Sequence, residues 1–153
     1  MTTIAYKDGV IAYDSRVTRG SLIDHDDYEK LIHRNGHQFL FTGCGPDFSS
    51  LIDEFLGVKA GDRPLDASGM VVTNGGICLI GRDAESGFWV DDVWMDRPFA
   101  IGSGRDFALA AMDMGASAEE AVRAAMKRDV YTGGKVRTLR VAHDPAISPE
   151  RSA

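Results

Sequence analysis

Two tight-turn signals set the character of the N-terminal part of the chain. Asp8-Gly9 and Asn35-Gly36 each lie between short runs of β-forming residues. Such dipeptides accept the left-handed backbone that a two-residue hairpin turn requires. Residues 3–6 and 10–13 therefore read as one hairpin, and residues 28–34 and 37–42 as a second. A hairpin can only build antiparallel sheet. The polar stretch between the two, residues 17–27, reads as a loop.

The hydrophobic period then changes. Pro46 suits a first helical turn, and Phe48, Leu51, Ile52, Phe55 and Leu56 recur at helical spacing, with Gly57 as the stop. Residues 57–69 are rich in Gly, Asp and Pro and read as a connection. Residues 70–73, 76–81, 87–93 and 99–101 read as strands, with a turn at 83–87. After Gly102-Ser103-Gly104, residues Phe107, Leu109, Ala110, Ala111 and Met114 lie on a helix that ends near Gly115. Ser117 and Glu120 form a capping-box pattern that opens another helix, running to about Arg128. Residues 136–141 are a last strand, and 143–153, with two prolines, read as a loose tail. Strands, helix, strands, two helices, strand is the order of an α+β domain, taken as one unit over residues 1–153.

The charge balance narrows the function. The 153 residues carry 17 basic and 23 acidic side chains, net −6, which leaves no electrostatic footprint for nucleic acid. No apolar run approaches the roughly 18 residues of a membrane helix. The chain runs straight into Thr2-Thr3-Ile4 instead of a basic segment and an apolar stretch, so a cytoplasmic location is expected. Cys44 and Cys78 match no metal spacing and read as reduced core thiols. Asp24, Asp26 and Asp27 beside His25 are more simply a solvated loop than a cation site, and His33 and His37 read as strand or turn residues. No metal and no cofactor is expected. Gly102-Ser103-Gly104 lacks the lysine of a phosphate-binding loop.

The chemical signal is at the start. A small residue after Met1 permits removal of that methionine, which would leave Thr2 with a free α-amine. A threonine hydroxyl is a poor nucleophile until a base takes its proton. An α-amine titrates at about 7.7–8.0 in model peptides, and it sits on the same residue. A cation beside it lowers that value.

Several short motifs, in order, resemble the proteasome β-subunit family, including its HslV branch. Thr2-Thr3-Ile4 and Asp14-Ser15-Arg16-Val17-Thr18 are similar to its opening and its Asp-Thr-Arg-x-Thr signature. Glu29-Lys30-Leu31 resembles the segment of the catalytic lysine, at the family's spacing from Asp14. Phe41-Thr42-Gly43-Cys44-Gly45, Ala100-Ile101-Gly102-Ser103-Gly104 and Arg128-Asp129-Val130-Tyr131-Thr132-Gly133-Gly134 match further segments in family order. The resemblance spans residues 2 to about 141.

It implies a four-layer αββα sandwich of the N-terminal-nucleophile hydrolase type, and a peptidase. Thr2 would attack, its α-amine helped by Lys30 would take the proton, and Asp14 would orient Lys30 and keep it charged. Gly43 would donate its N–H to the oxyanion. Ser103, Asp129 and Thr132 would hold the Thr2 amine. Thr18, Gly43 and Gly45 would pair with an extended polypeptide substrate, and Phe41 would floor a shallow pocket for a small P1 side chain. A homo-oligomeric ring is implied. The chain departs from the family in length. Only residues 46–56 are clearly helical before residue 70, so the first helical layer is reduced, which weakens the case for an ATP-dependent unfoldase partner. With Met1 attached no activity is expected. The competing readings are an amidohydrolase acting on a small amide with the same residues, and an inert assembly subunit.

Overall fold

The computed structural model describes residues 1–58, 61 and 63–142. The segment 143–153, read as a loose tail, lies outside the described residues. The first hairpin joins β1 (Thr3–Lys7) to β2 (Val10–Tyr13) through Asp8 and Gly9, at φ 50° and 78°. Both central residues are left-handed, as the two-residue turn demands. The second hairpin turns at Asn35 and Gly36, φ 51° and 77°, into β6 (His37–Gly43). Its first strand, β5, is shorter than expected and covers only Ile32–Arg34.

The remaining strands are β7 (Ala67–Thr73), β8 (Gly76–Asp83), β9 (Gly87–Asp92), β10 (Phe99–Gly102) and β11 (Arg137–Arg140). They form two antiparallel sheets, ordered β10-β1-β2-β11 and β5-β6-β7-β8-β9. The loop expected over residues 17–27 is instead a separate hairpin, β3 (Val17–Arg19) and β4 (Leu22–His25). Its residues are half-buried or exposed, and β4 is exposed throughout.

Period-two alternation sorts each strand between two faces. Ile4, Tyr6, Ile11 and Tyr13 of the first sheet pack against Leu40, Met70, Ile77 and Val72 of the second. The intervening Ala5 and Ala12, with Ala100, meet the helices α2 (Arg105–Asp113) and α3 (Ala118–Met126) through Ala108, Met112, Ala121, Val122 and Ala125. On the far face of the second sheet, Phe39, Phe41, Val71 and Ile80 pack under Leu51 and Ile52 of α1 (Phe48–Phe55). Side chains on both faces of β1, β2, β6 and β7 are thus packed, which is why those strands carry apolar residues at successive positions.

The sheet face toward α2 and α3 is lined by alanine, so only small or flexible side chains fit there. Phe107 and Leu109, counted on the helix from their apolar character, point outward and are exposed. Ser117 and Glu120 do close a capping box on α3. Lys7 Nζ donates to the carbonyls of Met112 and Ala116, at 3.1 and 2.9 Å, and so caps the end of α2.

α1 is fastened to its sheet by a charge pair. Arg82 Nε donates to Glu54 Oε2 at 3.0 Å, and a second bond from Nη2 makes the pair bidentate. The Glu54 side chain is nearly buried. Removing one partner of a buried pair leaves the other charge uncompensated. Arg82→Ala is therefore expected to lower unfolding free energy by about 3 kcal/mol, read from urea denaturation.

Candidate active site

Thr2 stands just ahead of β1, and the chain crosses it twice more. β10 pairs with β1 so that Thr3 faces Gly102. Ser103 N donates to the Thr2 carbonyl at 2.8 Å, and Gly102 has φ +101°. A Cβ at Gly102 would fall 1.9 Å from the Thr2 carbonyl oxygen, so this crossing requires glycine. On the other side β2 ends at Tyr13 opposite Ile4, which carries Asp14 back to the level of Thr2 and Thr3.

Asp14 is completely buried and its carboxylate is surrounded by donors. Oδ1 accepts from Lys30 Nζ at 2.8 Å, from Thr3 N at 3.2 Å and from the Thr2 hydroxyl. Oδ2 accepts from Gly133 N at 2.9 Å and Arg16 N at 3.3 Å. Lys30 Nζ lies 2.5 Å from Thr2 Oγ1. The threonine hydroxyl is thus held between an amine and a carboxylate. Glu29 positions the lysine. Its carboxylate accepts from Tyr13 Oη at 2.9 Å and from Leu31 N at 2.8 Å, pinning the chain on both sides of Lys30.

Charge in this pocket is costly. Burial pulls the Lys30 amine below the ordinary lysine value, and that outweighs the opposing pull of Asp14. Asp14 opposes that shift, by its charge and by its hydrogen bond to the amine. The Met1 α-amine is also lowered, first by burial and then by the Lys30 charge, with Asp14 and Asp129 opposing.

A second cluster lies behind Thr2. Asp129 Oδ2 accepts from Ser103 Oγ and Thr132 Oγ1, both at 2.6 Å, and Thr132 Oγ1 is 2.7 Å from Thr3 Oγ1. Ser103 Oγ also reaches the Thr2 carbonyl at 3.3 Å. With Met1 in place these residues contact the backbone and neighbour of Thr2, and no bond from them to its nitrogen is formed.

Thr2 and Lys30 open onto a cleft of about 490 Å³, shared with Thr18, Phe41, Gly43 and Gly45. The substrate-side residues named from the sequence therefore line one cleft with Thr2 and Lys30. Phe41 stacks on Phe48, with centroids 4.8 Å apart, and both line the cleft. His25, Tyr28, Ile32 and Phe48 also line it and escaped sequence reading. His25 ends the β3–β4 hairpin, and Tyr28 lies three residues beyond it. Arg16 holds that hairpin by a bidentate bond to Asp26, 2.8 and 3.0 Å, and donates to the Val130 carbonyl at 3.0 Å. The other acids beside His25 are paired too, Asp24 with Arg19 and Asp27 with Lys135 and Arg137. Among the described residues no group of three or more His, Cys, Asp or Glu could hold a metal ion. Cys78 is buried, with its thiol pushed up to about 11 by burial, whereas Cys44, also read as a core thiol, is exposed on the loop beside Gly43. No helix among the described residues is long and apolar enough to cross a membrane.

Comparison with solved structures decides the fold. The structure of Thiobacillus denitrificans BPH in complex with epoxomicin superposes with TM-score 0.68 at 20% identity, over 94% of this chain and 99% of that one. HslV from Trypanosoma brucei gives TM-score 0.66 at 22% identity, over 93% and 99%. The chain has the HslV fold. No protein-family model matches it, and no curated protein matches its sequence. The HslV fold accounts for the way β1, β2 and β10 bring residues 2, 14 and 103 together from distant parts of the sequence.

Proposed function

We propose that this chain is a threonine-type peptidase of the HslV kind, whose nucleophile is Thr2 after Met1 has been removed. The observation that carries the reading is the 2.5 Å approach of Lys30 Nζ to Thr2 Oγ1, with Asp14 bonded to both. This places a cation-forming amine within hydrogen-bond reach of the nucleophile, where Lys30 can assist the α-amine that acts as base. In the proposed cycle the freed α-amine of Thr2 takes the hydroxyl proton while Oγ1 adds to the substrate carbonyl. The Gly43 N–H stabilises the oxyanion. The amine returns the proton to the departing peptide nitrogen, and water then hydrolyses the ester on Thr2. Ser103, Asp129 and Thr132 hold the new amine in place.

The cleft supports a peptide laid along Thr18, Gly43 and Gly45, adding a strand to the protein. The stacked Phe41 and Phe48 lining the cleft support a small apolar P1 residue. The three packed clusters support the four-layer αββα arrangement within one domain, with α1 as a reduced first helical layer. Assembly with further copies, as a ring, is part of the same proposal and is supported by the likeness to the HslV fold.

The test uses Met1-free protein and fluorogenic substrates. Short peptides with Ala or Val at P1 are expected to be cleaved, with small acyl amides untouched. Turnover of the amides alone would transfer the same residues to an amidohydrolase. Absence of both activities would favour an inert assembly subunit.

A further inference from the structure

Asp47 is 3% exposed and sits directly before α1, where an aspartate commonly caps the helix's own N–H groups. Its carboxylate makes no such cap. It turns to a distant segment instead, accepting from Asp66 N at 2.9 Å and from Arg63 Nη2 at 2.5 Å. The carbonyl of Asp66 in turn accepts from Cys44 N at 2.6 Å. The same oxygen lies against Gly43. A Cβ there would fall 2.3 Å from it, and Gly43 has φ +104°. One residue thus grips, through a single peptide neighbour, the turn that presents Gly43 to the cleft.

We propose that Asp47 is a positioning residue for the oxyanion donor: by fixing Asp66 it holds the Cys44 N–H and packs against Gly43, and so it sets the backbone angles of Gly43, which orient the adjoining Thr42–Gly43 peptide and its N–H. This rests on the peptidase reading above. The relay touches neither substrate nor Thr2, so its loss acts on the transition state more than on ground-state binding. A donor displaced by a fraction of an ångström still lets a peptide lie in the cleft, but it no longer meets the oxyanion. Asp47→Asn keeps an acceptor for Asp66 N and loses the charge that holds Arg63, so it weakens the relay without abolishing it.

The experiment compares Met1-free wild type, Asp47→Ala and Asp47→Asn, using one fluorogenic peptide and the peptide aldehyde of the same sequence. The aldehyde adds to Thr2 as a hemiacetal, whose oxygen occupies the oxyanion position. For Asp47→Ala we expect kcat to fall about 30-fold with KM within two-fold. The aldehyde Ki should rise by the same factor as kcat falls. For Asp47→Asn both changes should be about three- to five-fold and again equal. If Asp47→Ala does not fold, the parallel change in Asp47→Asn decides alone. Unchanged kcat and Ki in folded Asp47→Asn, or a loss confined to KM, overturns the positioning role. Wild type that neither cleaves peptide nor takes the aldehyde overturns the underlying peptidase reading instead.

Discussion

Lys30→Met is expected to lower kcat by roughly 10³-fold while the protein stays folded. The two halves of that expectation come from different contacts. Among the described residues, Nζ is the amine within reach of Thr2 Oγ1 besides the one Met1 removal would create. Its loss removes both the lysine's bond to the hydroxyl and its electrostatic effect on the neighbouring α-amine. The fold survives because the Asp14 carboxylate keeps its other donors, Thr3 N, Arg16 N, Gly133 N and the Thr2 hydroxyl. Burial also holds the lysine below its ordinary pKa, so in the folded state its charged form is disfavoured relative to the unfolded chain. That term costs stability below the folded pKa, and the cost fades as pH rises from the folded pKa toward the unfolded value. Methionine removes it.

The pH profile separates this account from simple damage. The base must be unprotonated, so activity rises with pH through the pKa of the α-amine. Lys30 pushes a neighbouring α-amine downward, as it does that of Met1. Without Lys30 the ascending limb of the residual activity should therefore move to higher pH. A limb that stays in place would mean the lysine does not act on the amine.

Asp14→Ala should be worse for the fold than Lys30→Met, and equally damaging to activity. Five donors converge on one fully buried carboxylate. Removing it leaves Lys30 without its counter-charge and strands backbone N–H groups from three separate segments. The expected cost is about 3–5 kcal/mol, or a fall in Tm of roughly 10 °C or more. Asp14→Asn restores an acceptor at one of the two oxygen positions and sets an NH2 against donors at the other, so it should recover at most about half of that loss and little activity. Equal Tm values for the alanine and wild-type proteins in calorimetry would contradict the buried-hub picture.

Sequence legibility followed physical cause, residue by residue. The turns at Asp8-Gly9 and Asn35-Gly36 were readable because left-handed backbone restricts residue choice there. The α3 start was readable because its capping box is a local bond pattern. The β3–β4 hairpin was not, because a strand with no buried face shows no alternation. Residues 28–31 alternate like a strand, yet the Leu31 N–H is taken by the Glu29 carboxylate and not by a ladder partner. That bond serves the placement of Lys30. The outward turn of Phe107 and Leu109 was hidden because the sheet face below α2 is paved with alanine. In the site, the order and spacing of Thr2, Asp14 and Lys30 were visible through the family resemblance. The roles of Glu29, Asp47 and Gly133 were not, since each acts through contacts that appear only when distant segments meet.

The central claim is that Thr2 becomes a paired nucleophile and base once Met1 is gone. A peptide epoxyketone tests both functions at once, because the hydroxyl adds to its ketone and the free amine opens its epoxide. Intact mass and peptide mapping should find one inhibitor added at Thr2 in Met1-free protein, and none in protein that retains Met1. No adduct on the Met1-free protein, or equal labelling of the two forms, would contradict the account.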